Sequence, residues 1–255
     1  MGIRVEKALQ QRVELCYRAA IDCGWQINLD GDTEPLHHYR VGLRKCRALL
    51  KLYGDWLAPE LAQALVASIG QQARVSNRMR DLDVLAKAHW LPQEATEEVA
   101  NWRRQCFSRL LIALGELTRE RQLVFALLAC SWKSPSGGKQ SFKRVTDKVA
   151  MRVERRCDKR LKSAQASQRA EDWHRLRISI KYRRYLKELC LPELDWQQDK
   201  RLQDALGEFN DSCAQLAIID ELGNQNRRQW LQDAKEILNT RVKTQLQQLN
   251  NLQIV

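Results

Sequence analysis

The segment His37-x-x-Arg40-Val41-x-x-Arg44-x-x-Arg47, followed by Lys51, sets five basic side chains at spacings of three and four. At about 100° per residue, positions 37, 40, 44, 47 and 51 of a helix fall at roughly 0°, 300°, 340°, 280° and 320°, which is one stripe. Leu36, Tyr39, Leu43, Cys46 and Leu50 fall between roughly 180° and 260°, so the basic stripe flanks the apolar one. A solvated helix face ordinarily mixes signs to gain i,i+4 pairs, whereas a single-signed stripe repels itself unless an anion lies against it. Guanidinium offers a planar fork of donors that fits phosphate oxygens, and each hydrogen bond to a charged group contributes about 1.5–3 kcal/mol. The chemistry this spacing suits is the gripping of a phosphate-bearing polyanion. An anion beside His37 would raise its pKa, so binding should strengthen on acidification.

The pattern recurs. His174-x-x-Arg177-Ile178-x-x-Lys181-x-x-Arg184 agrees with the first segment in residue class at five positions, which marks an internal repeat. Lys51 has no basic counterpart, because Glu188 stands at the matching place. A second pair of short motifs follows, Met79-Arg80-Asp81 and Phe209-Asn210-Asp211. The two spacings differ by about two helical turns, so the same faces would still point inward. Arg80 and Asn210 join the candidate ligand set. Asp81 and Asp211 are assigned a structural role: they orient the arginines, or they pair across the halves, where the face of Asp81 with Arg74 and Arg78 would meet that of Asp211 with Asp204 and Glu208. Arg152, Arg156 and Lys159 form a further basic face that either reaches the ligand or is solvated.

These stripes need helices to carry them. Leu, Ala, Gln, Arg, Lys and Glu dominate a chain of 255 residues with 11 Gly and 5 Pro, so the fold expected is all-α. Periodicity and breakers predict helices over 4–23, 35–54, 59–89 and 94–114, a short one to 129, then 141–166, 170–190, 196–222 and 225–250. Ser134-Pro135-Ser136-Gly137-Gly138 reads as the linker. The expected organisation is a first repeat half over 1–133, a linker over 134–140 and a second half over 141–255, packed with pseudo-symmetry so that both stripes line one groove.

Forty-three Lys and Arg against 31 Asp and Glu give a net charge of +12, which favours anionic partners. The eight cysteines are scattered, without C-x-x-C or clustering with histidine, as suits free thiols in the cytoplasm. No apolar run is long enough to span a membrane and no amphipathic anchor is evident, so no membrane partner is expected. An enzyme would need a nucleophile elbow, a glycine-rich phosphate loop or a metal-ligand motif, and none occurs. Asp81 and Asp83 lie about 200° apart on a helix, too far to share a metal. The protein is therefore expected to be non-catalytic, with no cofactor and no metal; a metal-dependent phosphohydrolase is the weakest reading. Single-stranded RNA or DNA is the alternative ligand for the same groove. Such proteins interleave aromatics with their basic residues, but Tyr39 and Trp173 fall on the apolar arcs, and His38 falls away from the stripe.

Taken together, Leu36-His37-x-x-Arg40-Val41-x-x-Arg44, Arg80-Asp81-Leu82-Asp83-Val84, His174-Arg175-Leu176-Arg177-Ile178-x-x-Lys181-x-x-Arg184-Tyr185 and Leu206-Gly207-Glu208-Phe209-Asn210-Asp211 resemble the CHAD domain, the conserved histidine α-helical domain, over nearly the whole chain. The resemblance implies two antiparallel four-helix bundles related by a pseudo-two-fold and a central basic channel. It also implies recognition of inorganic polyphosphate by the lysine, arginine and histidine side chains of that channel, with phosphate, sulfate or other polyanions as related ligands. CHAD domains often accompany a β-tunnel triphosphatase domain with an ExExK signature, which is not found in this sequence, so a stand-alone binding module in the cytoplasm, associated there with polyphosphate granules, is what the likeness suggests.

Overall fold

The structure is a computed structural model and describes residues 4–29, 32–130, 132–135, 140–225 and 228–251. Among them the chain forms α-helices and no strand; the only extended pairing is an isolated bridge between Arg4 and Ser141. The helices are α1 (Val5–Gly24), α2 (Glu34–Leu52), α3 (Pro59–Arg74), α4 (Asn77–Ala86), α5 (Gln93–Glu116), α6 (Thr118–Cys130), α7 (Phe142–Ser167), α8 (Ala170–Cys190), α9 (Gln197–Gln225) and α10 (Gln229–Asn250). The all-α expectation holds. Among the described residues no helix is long and apolar enough to cross a membrane.

Two compact units share these helices. The first comprises residues 1–80, 103–151 and 189–191, the second 81–102, 152–188 and 192–255, so each draws residues from both sides of the 134–140 segment. Of that segment, 136–139 lie outside the described residues, and Ser134, Pro135 and Gln140 are not helical.

In the first unit α2 is central. Pro35 stands in its first turn, where a missing N–H costs nothing, and Asp32 Oδ1 accepts from the Glu34 N–H at 3.0 Å. Leu36, Tyr39, Leu43, Cys46 and Leu50 are all buried, as their arc requires. Gly42 lets α1 come close: a Cβ there would lie 2.7 Å from Ala20 Cβ and 3.0 Å from the Cys16 carbonyl. With the apolar arc fixed against its neighbours, the basic stripe has one place to go, along the flank.

A single helix over 59–89 is not what forms. The chain breaks at Val75–Ser76 into α3 and α4, and α4 ends at Ala86. The Ser76 hydroxyl donates back to the Ala73 carbonyl at 2.8 Å, a local bond that competes with helix propagation. Arg40 Nη1 then closes the break, donating to Ser76 Oγ at 2.9 Å and to Asn77 Oδ1 at 2.7 Å, with the Ala73 carbonyl at 3.3 Å. A cation at a helix C-terminus also meets the negative end of the helix dipole.

In the second unit Trp173, Leu176 and Ile180 of α8 and Leu206 and Phe209 of α9 are core residues. α7 ends where Gln168 adopts φ 54°, its N–H returning to the Ala164 carbonyl at 2.8 Å. This left-handed residue stops the helix and turns the chain into α8.

Candidate anion-binding surfaces

On α2 the stripe is assembled as its spacing demands, and each member has a distinct seat. Arg40 is anchored at the α3–α4 break. Arg47 lies over Gly70 of α3, where a Cβ would meet Nε at 3.4 Å and Cζ at 3.5 Å, in ordinary van der Waals contact. The buried Nε atoms of Arg44 and Arg47 have no hydrogen-bond partner among the described residues. Lys51 is exposed. Among the described residues, none of Arg44, Arg47, Lys51 and Arg80 forms an ion pair with a carboxylate. His37 is half-buried, and its pKa is lowered first by burial and then by the fields of Arg80 and Arg44. His38, which the sequence placed off the stripe, is 60 % exposed and lies 3.5 Å from Glu34.

The α8 stripe is differently furnished. His174 Nδ1 lies 2.7 Å from Asn210 Oδ1, and since a carbonyl oxygen only accepts, the ring donates through Nδ1 and leaves Nε2 for another partner. Asn210, assigned as a ligand contact from sequence, thus also orients the histidine. Arg177 lies 3.9 Å from Asp211. Lys181 is 8 % exposed and has interaction partners within the chain. Arg184 packs over the rings of Trp196 at 5.2 Å and Tyr185 at 5.9 Å, and donates to Gln203 at 3.3 Å. Of the secondary candidates, Arg152, Arg156 and Lys159 are all exposed on α7. Asp81 is half-buried on α4 and has partners within the chain.

Sequence reasoning passed over the ionic cluster beside this stripe. Arg183 Nε donates to Asp199 Oδ1 at 2.6 Å and Nη1 to Glu154 Oε2 at 2.8 Å, while Lys187 Nζ lies 2.9 Å from Asp199 Oδ2. The Asp199 side chain is 1 % exposed. Arg183 adjoins the motif residue Arg184 but points into a clamp of α7, α8 and α9. Nothing in the local spacing announces this, because the acids come from other helices. Trp196 and Gln203, which seat Arg184, were missed for the same reason.

Among the described residues no group of three or more His, Cys, Asp or Glu is placed to hold a metal ion. No disulfide forms among the described residues, and burial raises the pKa of Cys46, Cys157 and Cys190. All three are buried among core residues.

Residues 11–220 match the sequence profile of the CHAD domain. The fold is similar to the crystal structure of the CHAD domain from the plant Ricinus communis, with TM-score 0.78 and 21 % identity over 99 % of this chain and 93 % of that one. It is also similar to PptA from Streptomyces chartreusis, with TM-score 0.67 and 14 % identity over 97 % of this chain and 96 % of the other. No curated protein matches the chain.

Proposed function

From the premise that this chain belongs to the CHAD domain family, we propose that it binds inorganic polyphosphate and does so without chemical transformation. The observation that carries this reading is the flank of α2, where Arg44, Arg47, Lys51 and the nearby Arg80 stand without carboxylate partners among the described residues. Such a row costs free energy through self-repulsion, and a string of phosphates along it removes that cost. Arg40 is held in place by its hydrogen bonds at the α3–α4 break, so little of its side-chain entropy is lost when a phosphate docks. On α8, His174 offers Nε2, and Arg177 and Arg184 offer guanidinium donors steadied by Asp211, Trp196 and Gln203. Every group offered to the ligand is a donor or a cation, and the role asks nothing of a base or a nucleophile.

The test is competition of long-chain polyphosphate against single-stranded RNA and DNA at about 0.15 M salt, where weakly specific phosphate contacts are much reduced. Polyphosphate should win by about tenfold, and Arg44→Glu/Lys51→Glu should lose it while keeping helical content. Equal competition by RNA would make the stripe a general nucleic-acid surface, and unchanged binding by the variant would remove α2 from the site. Release of orthophosphate by the pure protein with added divalent metal would overturn the non-catalytic role.

A further inference from the structure

Beside the α8 stripe lies a cleft of about 410 Å³ that a phosphate chain cannot use. Its floor is apolar, formed by Leu206, Phe209 and Cys213 of α9, and Ala170 begins its wall at the start of α8. Around this floor stand four polar side chains of differing kinds, Glu171, His174, Arg175 and Asn210. His174 and Asn210 are bonded to each other at 2.7 Å, and Arg175 is fixed by Asp172 at 2.9 Å. Inorganic phosphate wants donors on every side and gains nothing from Leu206 or Phe209, while Glu171 would repel it. A cavity of a few hundred Å³ with an apolar floor and a few convergent polar groups is the ordinary form of a small-molecule site.

We propose that this cleft holds the base of a nucleoside polyphosphate whose phosphate chain runs onto His174 and Arg177. The proposal rests on the phosphate-binding reading given above and extends it to a second class of ligand. A heterocyclic base is flat and largely apolar across its faces, and its edge carries both donors and acceptors. Glu171 accepts from a ring or exocyclic N–H, and the Asn210 amide offers N–H groups beyond the oxygen engaged by His174. His174 sits on the wall of the cleft and on the basic stripe at once, three residues before Arg177 on the same helix face, so the ribose that links base to phosphates falls near the histidine. Beside His174 the cleft is lined by a single aromatic side chain, Phe209. A strand binder needs a succession of stacking platforms, so the free nucleotide is the occupant that fits.

The experiment compares ATP with tripolyphosphate, which carries a similar phosphate chain and no base, by calorimetry on the full chain. ATP should bind about tenfold more tightly, the scale of a single base contact. Filling the cleft with Cys213→Phe should erase that margin while leaving tripolyphosphate affinity unchanged, which also certifies the fold; Ala170→Leu, at the exposed start of α8, is the second filling variant should the first not fold. Binding of long-chain polyphosphate with ATP no tighter than tripolyphosphate would overturn this inference and leave the polyphosphate reading intact. So would an ATP margin that survives both variants. Failure to bind any of the three ligands would overturn both.

Discussion

Along α2, Arg44, Arg47 and Lys51 stand without carboxylate partners among the described residues, whereas along α8 most basic residues already have a partner within the chain. On α8, Arg177 has Asp211, Arg183 has Asp199 and Glu154, Lys187 has Asp199, and Arg184 rests on Trp196. Two segments that agree in residue class therefore differ in what their charge is for. A lone cation stores repulsion that a ligand can relieve. A cation with an acid beside it has already relieved most of its own, and a phosphate must compete with that acid. A cation of the α2 stripe is accordingly expected to contribute more to affinity than its counterpart on α8.

The largest effect tests the compensated side. Asp199→Asn leaves Arg183 and Lys187 with an uncharged partner in a buried site, and loss of one member of a buried ionic cluster costs about 3–5 kcal/mol. Urea denaturation should register that loss. Asp211→Asn, at the half-exposed pair with Arg177, should cost no more than about 0.5 kcal/mol. Similar losses at the two sites would mean that the clamp of α7, α8 and α9 contributes nothing special.

On α2, Arg40 donates to a hydroxyl, an amide oxygen and a carbonyl at the α3–α4 break. Arg40→Met should keep the aliphatic packing and lose these bonds, lowering stability by about 2 kcal/mol. It should also expose amide protons around Val75 and Ser76 to faster hydrogen exchange. Unchanged exchange there would show that the Ser76–Ala73 bond holds the break by itself.

Next comes the direct comparison of the stripes. Arg44→Gln removes a cation with no acid partner and should weaken polyphosphate binding about tenfold, the equivalent of one charge-assisted hydrogen bond. Arg177→Gln removes a cation whose charge is partly met by Asp211, and about threefold is expected. Measured side by side in one salt, equal losses would break the contrast between the stripes. A further gain in affinity for Asp211→Asn would sharpen it, since Arg177 would then be released to the ligand.

Much of this was legible in the sequence. The apolar arc of α2 is buried residue for residue, Trp173 and Tyr39 are core as their angles require, and Pro35 and Pro59 stand in the first turns of their helices. These follow from period and local chemistry alone. The break at Val75–Ser76 was not legible, because no glycine or proline marks it and the side chain that closes it, Arg40, comes from another helix. The pairing of Arg183 with Asp199 was hidden for a similar reason. A helical wheel tells which residues share a face, but the charge state of that face depends on acids brought by tertiary packing. The likeness between the motifs was a statement about residue types, and their difference is a statement about neighbours.

The smallest effect probes the α2 stripe through its histidine. Burial and the fields of Arg80 and Arg44 lower the His37 pKa, while Glu34 raises it and His38 lowers it to a lesser extent. In the free protein His37 therefore binds its proton less readily than in the unfolded chain. Its contribution to stability is undiminished above the ordinary histidine range and is lost progressively as pH falls through that range. A polyphosphate chain along the stripe offsets Arg80 and Arg44, so the pKa rises on binding and a proton is taken up. Affinity should thus increase as pH falls through the histidine range, and calorimetry in two buffers of different ionisation enthalpy should report fractional proton uptake near neutral pH. His37→Gln keeps a hydrogen-bonding group and cannot titrate, so it should flatten both signals by the share His37 supplies. If the variant keeps the full pH dependence, the coupling does not run through His37, and the stripe without acid partners would no longer be the part of the molecule that senses the ligand's charge.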